Sequence, residues 1–189
     1  MRPCLIDTVF ETERLLLRPW HAPDAAALYK YASNPNVGPI AGWPEHQSLE
    51  NSQSVIQTVL SAPENYAITL KETGEPIGSI GLMTREGVHT AAIGDNETEV
   101  GYWIGEPYWG QGLATEAVGA LLRHSFLGKG FAAVWSGYYD GNDRSRRVQE
   151  KCGFEPHHTE HNKDCPLLGE RRTEHFTMLK REEWLLGQR

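Results

Sequence analysis

Cysteine is scarce in this sequence. The 189 residues include three, Cys4, Cys152 and Cys165, without a C-x-x-C pair. An odd, widely spaced set indicates neither a disulfide framework nor a zinc ribbon, and no metal site is expected. No stretch approaches the ~20 apolar residues that span a bilayer, and the first residues lack an apolar signal-peptide core. The expectation is a protein of the reducing cytoplasm with no membrane partner. Positive charge is in short supply as well: 18 Lys and Arg stand against 25 Asp and Glu, for a net charge of −7. That balance argues against a nucleic-acid partner. It would attract a cationic amine or basic peptide, although acidic surfaces often serve solubility alone. Repeats, low-complexity tracts and linkers are also missing. Residues 1–189 therefore read as a single domain with a sizeable core.

The chain offers a sequence of short elements. "ERLLLRPW" (13–20) has the apolar run of a buried strand. Pro23 and Asp24 are expected to open a helix carrying Ala27, Leu28 and Tyr31, which stops near Asn34-Pro35. After the loop "VGPIAGWPEHQ" (Val37 to Gln47), a second helix starts near Ser48, with Leu49, Ile56, Val59 and Leu60 at helical spacing. Strands "YAITLK" and "PIGSIGLMT" meet at a Thr73-Gly74 turn, and "TEVGYWIG" is a third member of their sheet. A helix over Thr115–Leu127 presents Val118, Leu121, Leu122 and Phe126 on one face. "FAAVWSGYY" is the next strand, and "NDRSRRVQEKCG" is a short helix ended by Gly153. "FEPHHTEH" and "RRTEHFTML" close the chain as strands. The order predicts an α+β fold with a mixed sheet and helices on its faces.

Between the third strand and the long helix lies "EPYWGQGLATEA". A glycine-rich turn entering a helix presents bare N–H groups to an anion. It is not a nucleoside-triphosphate loop, because Gln111 and Gly112 stand where Lys and Ser/Thr are required. Nor is it a dinucleotide fingerprint, because Thr115 replaces the third glycine and no early βαβ unit surrounds it. A pyrophosphate held by backbone amides without a metal remains, with Gly110, Gly112 and Ala114 small enough for close approach and Thr115 adding a hydroxyl. A plain tight turn is the competing reading.

Taken together, "VGYWIGEPYWGQGLATEA" and "NDRSRRVQEKCGFE" resemble the GNAT superfamily of acetyl-coenzyme A-dependent N-acetyltransferases. They are closest to its RimJ/RimL branch, which acetylates protein N-terminal amines. "ETERLLLRPW" and "REEW" extend the likeness over almost the whole chain. Trp109 departs from the usual Arg or Gln that starts the superfamily's loop. The resemblance implies a largely antiparallel sheet splayed into a V-shaped cleft, with "EVGYWI" and "AVWSGYY" as its walls. It implies acetyl-coenzyme A as cosubstrate. The pantetheine would run beside Tyr102, Trp103 and Ile104, and the pyrophosphate would lie on the loop from Trp109 through Gly110, Gln111, Gly112, Leu113 and Ala114 to Thr115. A freed strand N–H would polarise the thioester carbonyl.

The implied reaction is amine attack on a thioester through a ternary complex, in a monomer or homodimer. An α-amine of pKa about 8 is already roughly 10–20% neutral near pH 7.4, whereas a lysine-like amine is only about 0.1% neutral. A peptide N-terminus therefore asks little of a general base. Glu99 is the candidate base, with an exposed strand carboxyl as the alternative. Ser145, in the family's Asn-x-x-Ser position, is the candidate acid for the departing thiolate; its alternative is a helix-start serine bonded locally. Asn142 caps that helix and holds the pantetheine. Tyr138 and Tyr139 are rival acids, and Glu116 is assigned to the helix's first turn. The Val37 to Gln47 loop, with Trp43 as a lid, borders the amine site. Polyamines, aminoglycoside-type drugs and a non-catalytic coenzyme A-binding role are the alternatives.

Other features read as structural. His157, His158 and His161 beside Cys165 invite a metal reading, but on a strand the first two side chains point oppositely. Arg144 to Arg147 read as a solvated helix face, with contact to the cofactor's 3′-phosphate as the alternative. Cys152 reads as a buried helix-end thiol.

Overall fold

The computed structural model describes residues 9–83 and 87–188, so Cys4 and Thr84, the last residue of one expected strand, lie outside it. Strands β1 (Phe10–Glu11) and β2 (Leu15–Arg18) come first. In β2, Leu15 and Leu17 are fully buried while Leu16 and Arg18 are half-buried, the alternation of a strand with one face on a core. Asp24 is held by Arg18 through bonds of 2.7 and 2.9 Å and caps a 3₁₀ turn at Ala22–Asp24, so α1 (Ala25–Ala32) starts just after the expected position. Ser48 Oγ accepts the Asn51 amide at 3.0 Å and starts α2 (Leu49–Val55). A wider π turn follows at Ile56–Leu60, closed by the Ser61 amide on the Ile56 carbonyl at 2.9 Å. Of the apolar face expected here, Ile56 is buried, but Leu49 and Val59 are 39% and 54% exposed.

The remaining elements are β3 (Asn65–Leu70), β4 (Pro76–Met83), β5 (Glu97–Ile104), α3 (Leu113–Arg123), β6 (Ala133–Tyr139), α4 (Asp143–Lys151), β7 (Glu155–Cys165), β8 (Glu170–Lys180) and α5 (Arg181–Gly187). The eight strands form one sheet in the order β1-β2-β3-β4-β5-β6-β8-β7. Every neighbouring pair is antiparallel except β5 with β6. One face is covered by α3: its Val118, Leu121 and Leu122, with Phe126 in the π turn that extends it, are buried among Ile68, Ile80, Val100 and Val134. Each such side chain contributes about 1.5–3 kcal/mol of burial. On the other face Ala25, Leu28 and Ala32 of α1 meet Trp20, Ile56 and Ala67. The closing helix α5 was not anticipated; its Trp184 packs on Phe126 at 5.3 Å.

The parallel pair opens the molecule. Strands β5 and β6 are in register at Glu97↔Ala133, Thr98↔Val134 and Glu99↔Trp135. Ser136 Oγ then donates to the Val100 carbonyl at 3.1 Å, and beyond that link the strands diverge. From Gly101 to Ile104 the far edge of β5 still pairs with β4. Its near edge is therefore open to an added extended chain. The expected V-shaped cleft is this divergence.

Candidate active site

Two cavities lie back to back across the split. The first, about 360 Å³, is bounded by β5 residues Tyr102, Trp103 and Ile104, by the start of α3 and by one face of α4. The second, about 480 Å³, is bounded by α2 and its π turn, by β4 and β5, and by the ends of β6 and β8 at Gly137 to Tyr139 and Glu174. Ala41, Tyr102, Trp103, Asn142 and Ser145 line both, so these five residues form the junction. The loop 37–47 roofs it: Val37 and Ile40 face the first cavity, Trp43 and His46 the second, and Ala41 both. Asn142 Nδ2 reaches the Ile40 carbonyl at 3.4 Å, which ties the roof to the start of α4.

In the first cavity, Gly110 and Gly112 adopt φ of +75° and +78°, backbone conformations that side chains disfavour. Gly112 is the N-cap of α3 and no side chain caps it. Among the described residues no protein acceptor meets the amides from Gly110 to Thr115. Backbone donors without a protein acceptor, lining a cavity at the positive end of a helix dipole, form a cradle that fits a pyrophosphate. Gly110, Gly112, Leu113, Ala114 and Thr115 line the cavity. Gln111 does not: its side chain turns back to the Pro107 carbonyl at 3.0 Å.

The loop is braced by a residue of the "ETERLLLRPW" stretch to which the sequence assigned no role at the loop. The Arg14 guanidinium donates to the Gln111 carbonyl at 2.9 Å and to Glu116 Oε2 at 2.7 Å. Glu116 also accepts the Thr12 hydroxyl and the Arg14 amide. Burial opposes its ionisation, but these donors outweigh burial and hold its carboxyl below the usual range. Glu116 thus fastens the turn between β1 and β2 to the helix start, beyond the local first-turn role expected of it. Trp109 is likewise structural at its edge, donating its indole N–H to the Ile104 carbonyl at 2.7 Å. Its face carries the Arg144 guanidinium at 3.7 Å. Arg144 and Arg147 line the cavity, so the expected solvated face of Arg144 to Arg147 applies only in part; Arg146 takes it, paired with Asp143 at 3.3 Å.

Asn142 Oδ1 accepts the Ser145 amide at 3.2 Å and caps α4. Ser145 Oγ lies 3.1 Å from the Tyr102 hydroxyl and accepts from Gln149 Nε2 at 3.2 Å. Burial pushes the Tyr102 phenol well up and keeps it protonated. Cys152, behind this helix, is pushed by burial up to about 12 and has almost no thiolate at neutral pH.

The second cavity has an acidic inner end. Glu99 is 1% exposed, so the exposed-strand alternative does not apply. Both its oxygens are engaged by His89, Oε1 with Nδ1 at 2.8 Å and Oε2 with the backbone N–H at 2.7 Å. The bond from Glu99 raises His89 above the ordinary imidazole value despite partial burial. Glu174 Oε1 lies 4.0 Å from the same ring nitrogen. Its carboxyl crosses Gly137, where a Cβ would stand 2.8 Å from Oε1, so a side chain there would displace the carboxyl from this position. Burial raises Glu174, and Lys163 Nζ lies 2.8 Å from Oε2 at an angle that makes an ion pair without a hydrogen bond. Tyr138 and Tyr139 line this cavity and not the first. Burial, then Glu174, pushes Tyr139 well up. Trp43 sits against Trp103 at 5.4 Å.

The histidine cluster differs from expectation. The β7 pairing skips a residue between Pro156↔Thr177 and His158↔Phe176, a bulge that turns His157 and His158 to the same side, with Nδ1 atoms 2.8 Å apart. Among the described residues no group of His, Cys, Asp and Glu is arranged to hold a metal ion. No helix among them is long and apolar enough to cross a membrane.

A mixed sheet split at one parallel pair, with a free-amide helix start on one side and an acidic pocket on the other, defines the acetyltransferase class. The chain belongs to the acetyltransferase (GNAT) domain family, whose sequence profile matches residues 14–155. It is 29% identical over 152 residues to YoaA, an uncharacterised N-acetyltransferase of Bacillus subtilis (strain 168), across 78% of this chain and 82% of that protein. The fold is similar to that of a GNAT-family acetyltransferase from Bacillus anthracis, with a TM-score of 0.80, 23% identity, and 93% and 100% of the two chains covered. It is also similar to Mycobacterium smegmatis RimJ in complex with CoA-disulfide, with a TM-score of 0.74, 19% identity, and 94% and 90% covered. The protein is an N-acetyltransferase.

Proposed function

We propose that this enzyme transfers the acetyl group of acetyl-coenzyme A to the N-terminal α-amine of a protein or peptide, as RimJ/RimL-type enzymes do. The observation that carries this reading is the junction at Tyr102 and Ser145, where a cavity with a free-amide cradle meets a cavity with an acidic inner end. Bound acetyl-coenzyme A supplies a thioester whose acyl carbon an amine attacks. The amides from Gly110 to Thr115 hold its pyrophosphate, with Arg144 and Arg147 adding positive charge on the opposite wall. The near edge of β5 at Tyr102, Trp103 and Ile104 pairs with the pantetheine, and Asn142 orients it.

Proton handling divides between the two cavities. Ser145 donates from Oγ on the thiol side and is resupplied by the Tyr102 hydroxyl. This favours Ser145 over Tyr139, which lines only the acceptor cavity. On the amine side Glu99 works through His89: the carboxyl fixes Nδ1 and leaves Nε2 to take the proton. His89 accepts only when neutral, so kcat/KM rises with pH through a value above the imidazole norm of about 6.5. In Glu99→Gln the raising charge is gone, and the acid limb moves to lower pH while turnover falls. Loss of that limb altogether would make Glu99 itself the base.

The assignment is tested by thiol release from acetyl-coenzyme A with free peptides, the same peptides N-terminally blocked, polyamines and aminoglycosides. Release with free but not blocked peptides is expected. Turnover confined to the polyamines or aminoglycosides would move the function to small-molecule acetylation.

A further inference from the structure

The second cavity has a division of chemistry that the N-acetyltransferase reading does not require. Its charged lining is gathered at one end: among the described residues Glu99, Glu174 and His89 are the charged or readily titrating groups there, apart from a histidine in the roof. Both carboxyl groups approach the same His89 nitrogen, at 2.8 and 4.0 Å. Among the described residues no Lys or Arg lines the cavity; Lys163 approaches Glu174 from outside it. The roof histidine, His46, is held by Ser52 at 2.7 Å and is pushed down by burial, so it adds no positive charge at neutral pH.

Away from that end the walls carry no charge and are largely apolar. Trp43, Val55, Val59, Leu60 and Leu167 line them with the neutral Asn51, Asn65 and Ser79, whereas Met83 stands opposite Glu99 at the acidic end. Val59 and Leu167 are 54% and 69% exposed, large apolar groups left open to solvent around a cavity that continues into the acyl-transfer junction. Exposed apolar surface rimming a pocket marks a ligand site. A polyamine or an aminoglycoside would need acids spaced along the walls, and none lines them among the described residues.

We infer that the acceptor carries a large apolar group directly beside its reactive amine. The amine lies by His89 and the two carboxyl groups, and the apolar group fills the space between Trp43, Val59, Leu60 and Leu167. Resting on the N-terminal reading above, this makes the acceptor a polypeptide whose first residue is Leu, Met, Phe or Trp. Pocket contacts to each methylene or ring increment discriminate by about tenfold or more.

The experiment measures kcat/KM for peptides of one sequence that differ only at the first residue: Leu, Met, Phe or Trp; Gly, Ala or Ser; Asp or Lys. Phenethylamine and ethanolamine serve as acceptors without a peptide. The first group is expected to exceed the second by at least about tenfold, and phenethylamine to exceed ethanolamine. Val59→Asp and Leu167→Asp, both at exposed positions that tolerate charge, should each shrink the Leu-to-Ala ratio to within about threefold. Equal turnover across the series, a preference for Ala, Ser or Asp, or a ratio unchanged in both variants overturns the inference. Phenethylamine acetylated with every peptide silent would overturn the N-terminal reading and keep the apolar subsite, so the two failures are distinguishable.

Discussion

Gly112→Trp is expected to weaken acetyl-coenzyme A binding by at least about 100-fold while leaving the protein folded. A Cβ at Gly112 meets only Arg14 Nη2, at 3.6 Å, an ordinary contact. The protein therefore accommodates the Cβ, and because Gly112 itself lines the first cavity, an indole on this residue is expected to obstruct the cradle. The positive φ of 78° adds backbone strain of about 1–2 kcal/mol, a shift of a few degrees in Tm for a domain of this size. Gly74→Trp is the matched control. It has the same left-handed backbone, with φ of 71°, open space around it and no place in either cavity. Its affinity should match the wild type. Calorimetry with acetyl-coenzyme A decides: an unchanged affinity in Gly112→Trp would remove the cofactor from this loop.

Ser145→Ala is expected to lower kcat by about 100-fold, the lower range for loss of a positioned acid, with KM within about threefold. A structural effect is separable. The substitution leaves Gln149 Nε2 one acceptor short, although it keeps the Gly137 carbonyl at 3.2 Å. That loss costs about 1–3 kcal/mol at most, and a thermal melt would register it. Ser145→Thr keeps a hydroxyl and should recover part of the turnover. Tyr102→Phe separates supply from donation: if Tyr102 only resupplies Ser145, its loss is smaller than that of Ser145. Wild-type turnover in Ser145→Ala would place the acid elsewhere and make Tyr139→Phe the next variant to measure.

The protein's sequence made some parts of this site legible because they depend on local geometry. A glycine at a left-handed position and an unfilled helix start belong to a few consecutive residues, so "GQGLAT" is readable as a cradle. The Asn142 cap and Ser145 lie three residues apart on one helix and read the same way. The apolar faces of β2 and α3 follow from periods of 2.0 and 3.6 residues. Period alone located the second helix but not which of its apolar residues the core covers: Ile56 is buried, whereas Val59 lines a cavity and stays open. It likewise misplaced His157 and His158, where one extra residue in the strand resets the alternation.

Other parts were decided only by the tertiary structure. Arg14 sits nearly one hundred positions from Gln111 in the chain (|i−j| = 97), and nothing near it in sequence hints at the loop it braces. His89 lies in a polar stretch with no periodicity; only the folding of β5 beside it brings Glu99 to Nδ1 and makes it a candidate proton acceptor. Glu174 gains meaning from Gly137 on another strand, whose missing side chain lets a carboxyl cross into the split. The sequence by itself thus determined most of the elements, the glycine-rich helix start and the capped serine of α4, because each is set by short-range backbone geometry. The bracing of the loop, the His89–Glu99 pair and the apolar acceptor walls are contacts between distant segments, and those exist only once the sheet has formed and split.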